Sequence, residues 1–113
     1  MGLSDVASNP DNWRQVAIQF TANDAVIVLP AVTGRRYYIG TFSFGSDMSN
    51  STTIARLVIS AGSTLFVGRA NSSSNSMLFE PPLVGDSGSG VTVTISELDA
   101  NEEIDFTLTA LLV

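Results

Sequence analysis

The chain has 113 residues, 44% of them hydrophobic, and eleven carboxylates against five arginines give it a net charge of −6. That length suits one domain around a single core, and the acidity argues against nucleic acid as a direct partner, because neutralising phosphates takes a basic patch. Cys, His and Lys are all absent, which removes thiolate and Ser–His nucleophiles, lysine Schiff bases, disulfides and the usual zinc or copper ligands. The expectation is a non-enzymatic protein with no catalytic residues, no cofactor and no metal.

The longest unbroken apolar run, residues 25–29, is far too short to cross a bilayer. Residues 1–12 (MGLSDVASNPDN) carry Asp5 and Asp11 in place of basic residues and lead into no hydrophobic region. No signal peptide is read there, so synthesis in a cytoplasm is expected. The same stretch reads as an N-terminal arm, separate from a domain over residues 13–113. Asn9-Pro10-Asp11-Asn12 is a turn signal, since proline fixes its own φ and pushes its predecessor out of the helical region. A helix N-cap at Ser8 or Asn9 is the competing reading, but no 3.6-residue periodicity follows it. The few apolar residues of the arm cannot offset the roughly 1–2 kcal/mol lost on fixing each residue, so the arm is expected to be mobile until a partner orders it.

From Trp13 the period becomes two, with Val16, Ile18 and Phe20 on one side and Gln15, Ala17 and Gln19 on the other. Such alternation marks a strand with one buried and one wet face. After a turn at residues 21–24, the run 25–29 (AVIVL) reads as a strand covered on both faces, and Pro30 closes it. Thr33-Gly34 turns the chain into RRYYIGTFSF (35–44). Strict alternation there puts Tyr38, Phe42 and Phe44 on one face with Gly40, and Tyr37, Ile39 and Thr41 on the other. Gly40 suggests a bend in that strand.

Residues 45–52 form a polar loop. The next strand, 54–60, turns Ala55, Leu57 and Ile59 inward and Arg56 outward, and Ala61-Gly62-Ser63 leads into 64–69, where Leu65 and Val67 share a face. NSSSNS (71–76) is a solvated loop, Glu80-Pro81-Pro82-Leu83 is extended by its prolines, and GDSGSG (85–90) is a flexible loop. The last segment, VTVTISELDANEEIDFTLTALLV (91–113), reads as a hairpin of two alternating strands around an acidic tip. About eight short strands with turns every 8–12 residues and no convincing helix predict an all-β antiparallel sandwich, jelly-roll-like.

Each candidate site has a plainer reading. Gly85-Asp86-Ser87-Gly88 is similar to the segment around a serine-protease nucleophile, yet no histidine exists to act as base. Glu97, Asp99, Asn101, Glu102, Glu103 and Asp105 offer oxygens for calcium, but without the central Gly and terminal Glu of a calcium loop. As a glycosidase pair these carboxylates lack a partner on another strand. A solvated tip is the better reading, since charge there keeps the edge soluble. Asn50-Ser51-Thr52 and Asn71-Ser72-Ser73 match the glycosylation pattern only as Asn/Ser-rich loops do. Trp13, Tyr37 and Tyr38 have faces suited to stacking on sugars, although strand aromatics more often serve cores and interfaces.

The succession of a strand ending Tyr-Tyr-Ile-Gly, a Ser/Asn/Thr loop, "IARLVISAGSTLFVGR", "LFEPPLVGDSGSG" and the closing alternating segment resembles the small jelly-roll proteins of tailed-bacteriophage virions. It is most like capsid decoration (cement) proteins, and is similar also to some tail-fibre modules. The resemblance covers roughly residues 35–113. It implies a virion structural protein on the capsid surface, often trimeric, seated where major capsid protein subunits meet. A receptor- or carbohydrate-binding module of a fibre or baseplate is the alternative. Leu111 interrupts the polar face of the last strand, and Leu111-Leu112-Val113 carries no side-chain charge. An exposed apolar strand end is expected to be covered by other copies, as in a homotrimer. The expected interface residues are Leu3 and Val6 in the arm, Trp13 at its junction, Leu111, Leu112 and Val113, and the tip carboxylates Asp99, Glu102 and Glu103.

Overall fold

A computed structural model describes residues 3–46, 55–70, 75–98 and 103–113. A single helical turn, α1 (Leu3–Ala7), and a 3-10 turn at Pro10–Asn12 precede eight strands: β1 (Trp13–Phe20), β2 (Asp24–Leu29), β3 (Tyr37–Ser46), β4 (Ala55–Ala61), β5 (Ser63–Ala70), β6 (Asn75–Val84), β7 (Val91–Ser96) and β8 (Ile104–Leu112). They form two four-stranded antiparallel sheets, in the orders β1-β8-β3-β6 and β2-β7-β4-β5. Among the described strands only β4 and β5 are consecutive neighbours within one sheet; every other connection crosses from sheet to sheet. This is a jelly-roll sandwich.

The expected C-terminal hairpin does not exist. β7 lies between β2 and β4 in one sheet, and β8 between β1 and β3 in the other. Alternation reports that a strand has one buried face, and the inner faces of both sheets give that same signal. The period therefore fixes which side chains go inward but not which strand is the partner. Val91, Val93 and Ile95 on β7 and Ile104, Phe106 and Leu108 on β8 are all buried, facing one another across the sandwich.

The two aromatic strands meet at its centre. Phe42 packs edge-on against Phe66 at a centroid distance of 4.8 Å and lies stacked near Phe106 at 6.2 Å. Phe42 gets there because β3 changes parity at Gly40. Against β8, Ile39 faces Ala110 and Thr41 faces Thr109, so Gly40 is an extra residue. A bulge flips every following side chain to the other face. Tyr37 and Ile39 before the bulge, and Phe42 and Phe44 after it, are consequently all in the core, while Thr41 is exposed. The bend expected at Gly40 is present, and it overturns the strict face assignment made across it.

Two further expectations change. The run 25–29 is not covered on both faces: β2 is an edge strand and Ile27 is 70% exposed. In β5 a register shift beside Ile59 places Leu65 as an extra residue between Thr64 and Phe66. Leu65 and Phe66 then both pack partly against the core, while Val67 is exposed.

The arm holds a helical turn where none was expected. Asn9 caps the following 3-10 turn by accepting from the Asp11 N–H at 3.0 Å, and Ser8 Oγ donates to the Asp5 carbonyl at 2.8 Å. The last carbonyls of α1 take their donors from further along the chain: Asn12 Nδ2 reaches Val6 O at 3.0 Å and Trp13 Nε1 reaches Ala7 O at 2.8 Å. Side-chain donors six residues away complete what a five-residue helix cannot complete itself.

Loop 85–90 is laced to the sandwich by its backbone. Gly85 N donates to Tyr37 O, Asp86 N to Ala61 O and Gly88 N to Arg35 O, at 2.7 to 2.9 Å. Ser63 Oγ donates to Asp86 Oδ2 at 2.9 Å, and the Asp86 side chain fills the place where a Cβ on Gly62 (φ +81°) would stand. Only glycine accommodates both that φ and that neighbour.

Candidate functional site

The molecule measures 49 × 21 × 20 Å, and the expected interface residues fall at opposite ends of the sandwich. At the arm end, Trp13 faces Leu111, which in turn faces Tyr38. Val113 exchanges two backbone hydrogen bonds with Arg36, at 2.8 and 3.0 Å, and Arg35 donates to Leu112 O at 3.0 Å and Asn12 Oδ1 at 3.1 Å. Val6 and Val113 are half-buried, and Trp13 is 44% exposed. Leu3 lies in α1, with a side chain outside the described set. At the other end, about 24 Å along β1, Glu103 Oε2 and Asp105 Oδ1 both accept from Gln19 Nε2 at 3.1 Å. Asp99 and Glu102 lie outside the described residues, as do both glycosylation-like triplets.

The strand end expected to be exposed is covered. Leu111 is 5% exposed and Leu112 1%. Leu111 does point away from the main core, but its cross-strand neighbours Trp13 and Tyr38 flank it within the same chain. The physical ground for a self-association surface at Leu111 is therefore gone.

The remaining polar candidates are engaged. Asp86, beside Ser87, takes the Ser63 hydroxyl. Glu97 is ion-paired with Arg69, and Glu103 and Asp105 share the Gln19 amide. Among the described residues no three acidic groups converge as a metal site would require. Of the three aromatics suited to sugar stacking, Tyr37 is buried, its hydroxyl donating to Pro30 O at 2.7 Å. Burial raises its pKa above the usual phenol value, an effect that Arg14 and then Arg35 partly offset.

What lies open is strand edge. Four strands end the two sheets, and three of them are interrupted within the described structure. β2 has an extra residue at Val28, β5 one at Leu65, and β6 breaks register opposite Gly40 around Pro81 and Pro82. β1 alone pairs residue for residue over its eight positions, from Trp13↔Leu111 to Phe20↔Ile104. It contains no proline, and Arg14 is its one charged residue. Its inward side chains Val16 and Ile18 are only half-buried. Beside them on the same flank, Val26 and Val28 of β2 are also half-buried. Sequence reasoning identified β1 as a strand but missed its edge position, for which the sequence carries no signal beyond the lack of interruption.

No protein-family model matches the chain, and no curated protein resembles it in sequence. Solved structures do resemble its fold. A chain in the acid-stable capsid of Helicobacter pylori bacteriophage KHP30 superposes with a TM-score of 0.60 at 8% identity, over 89% of this chain and 90% of that one. The insecticidal delta-endotoxin Cry8Ea1 of Bacillus thuringiensis matches with a TM-score of 0.51 at 12% identity, over 86% of this chain but only 19% of the toxin. The likeness is one of fold: a complete small jelly roll in the first case, one portion of a larger chain in the second.

Proposed function

We propose that this protein is a non-enzymatic structural component of a phage virion, a capsid decoration (cement) protein held on the capsid surface across joints between major capsid protein subunits. The observation that carries the reading is the end-to-end likeness to a chain of a phage capsid. Nearly the whole of each chain takes part, so the counterpart is a polypeptide of about the same size and not a module of something larger. The mechanism is additive. A standard interface buries roughly 1,600 Å², and repeating it over a shell resists internal pressure without chemistry.

The surface favours protein contacts over a glycan site. A sugar-stacking platform needs exposed aromatic faces beside polar groups, and here Tyr37 is buried while the Trp13 indole N–H is spent on Ala7. Apolar attachment is assigned to the arm end, where Val6 and Trp13 keep exposed area, and carboxylates such as Glu103 at the opposite end of the sandwich offer a separate, charged contact. Self-association also belongs to this reading. The trimer rests on the family resemblance, and the separate ground for an oligomer, an exposed Leu111, is absent, so the contact between copies is sought elsewhere.

Mass spectrometry of purified virions, with copy number per particle, tests the assignment. Several copies per capsid subunit cluster are expected; absence from the particle overturns it. Deleting residues 1–11 is expected to weaken attachment while leaving the melting temperature nearly unchanged. Moderate salt should weaken attachment only modestly, since exposed ion pairs contribute roughly 0–1 kcal/mol each. Complete stripping by salt would refute the apolar joint.

A further inference from the structure

We propose that β1 is a self-pairing edge: two copies of this chain join β1 to β1, antiparallel, about a two-fold axis passing at Ala17, which merges two four-stranded sheets into one of eight. This deepens the self-association part of the reading above.

The first reason is the contrast among edges. An edge strand presents a row of unsatisfied backbone N–H and C=O groups, and folded proteins blunt such rows with prolines, bulges, charges or short length. Among the described residues, β2, β5 and β6 each carry at least one interruption and β1 carries none. The second reason is unfinished burial. Val16 and Ile18 face the core yet remain half-exposed, because among the described residues no strand lies beyond β1 in its sheet. A strand added there would complete their burial.

The third reason identifies the occupant as a second copy. Facing residues in an antiparallel pair point to the same side of the sheet. A two-fold centred on Ala17 sets Val16 opposite Ile18 on the inner side. On the outer side it sets Gln15 opposite Gln19, with Ala17 meeting itself. Apolar thus meets apolar, amide meets amide, and the smallest side chain of the strand sits on the axis. Arg14 meets Phe20, so no like charges face each other. The paired stretch, residues 14–20, stops short of the 3-10 turn at Pro10–Asn12. A contact of this kind is isologous and closes as a dimer.

The test uses the purified full chain, so it stands apart from the capsid assignment. Its failure leaves virion incorporation untouched, and absence from virions leaves a dimer standing. Sedimentation is expected to show a concentration-dependent dimer. Ala17 is exposed on the outer face, so Ala17→Lys and Ala17→Glu should each fold with nearly the wild-type melting temperature. Like charges set directly opposite should weaken association by about tenfold or more. Mixing the two variants should restore it, because only a two-fold at this residue brings position 17 against itself. Ala17→Cys provides a second reading, since the chain has no other cysteine. Facing Cα atoms roughly 4.5–5.5 Å apart fall within the range a disulfide bridges, so mild oxidation should link two chains. A wild-type protein that stays monomeric to its solubility limit overturns the proposal. So does a lysine variant as dimeric as wild type, a charge-swapped mixture that gains nothing, or a cysteine variant that does not cross-link.

Discussion

The two flanks of the sandwich are built on opposite principles. On one, β6 departs from its partner around Pro81 and Pro82, β5 bulges at Leu65, and Arg69 ion-pairs with Glu97. On the other, β1 runs unbroken and β2 carries only one bulge, with Ile27 and Trp13 exposed. Both edge strands of the first flank are interrupted, whereas on the second β2 is interrupted and β1 is not. The difference teaches that edge protection in this protein is directional, a property that neither the core nor the composition reveals.

That comparison can be broken at its foundation by truncating the shared core. Phe106→Ala should cost about 3–5 kcal/mol, because Phe106 is 1% exposed and lies stacked near Phe42 at the centre. Ile18→Ala on the open flank should cost roughly 1–2 kcal/mol, since a half-buried side chain has less transfer free energy to lose. Denaturant titration measures both, and equal losses would mean that the flank of β1 is as closed as the centre.

Removing the defence of the other flank sharpens the contrast. Pro81→Val combined with Pro82→Val restores two backbone donors to β6. Association beyond the dimer should then strengthen by about tenfold, seen as larger species in sedimentation. An unchanged distribution would show that the register break alone protects β6.

A smaller effect concerns the tie between sheets. Tyr37 on β3 donates its hydroxyl to Pro30 O, just past β2, and Tyr37→Phe should cost about 1 kcal/mol. Burial raises the pKa of this phenol, so the folded state holds its proton longer than the unfolded state does. The resulting stability is fully present below the unfolded pKa near 10 and is lost as pH rises through the folded value. Melting curves above that pH should fall more steeply for wild type than for Tyr37→Phe. Parallel curves would show that Tyr37 is not the group responsible. The smallest change is expected from Arg69→Gln. Both side chains of the Arg69–Glu97 pair are 52% exposed, which limits the loss to about 0–1 kcal/mol and makes it salt-dependent. A loss well above that would give the defended flank a stability role that its exposure does not suggest.

The period-two runs located β1, β4, β7 and β8 and their inward residues, because alternation is a local consequence of the pleat. Ala55, Leu57 and Ile59, for example, are all 0% exposed. The same logic failed across Gly40, since one extra residue reverses parity and no local pattern counts residues against a distant partner. It failed again at Leu111, which looked exposed because its cover, Trp13 and Tyr38, comes from strands β1 and β3. The helical turn at Leu3–Ala7 was missed for a related reason, its last carbonyls being completed by Asn12 and Trp13.

The sequence by itself determined that this is an acidic, all-β, cysteine-free and histidine-free sandwich, since composition and alternation are properties of residues one at a time or in near succession. Only the tertiary structure decided that β7 and β8 belong to different sheets, that 25–29 forms an edge, and that β1 is the edge paired without interruption. Strand partnership and edge position are relations between segments far apart in the chain. Backbone hydrogen bonding, which makes those relations, is nearly blind to the side chains that the sequence spells out.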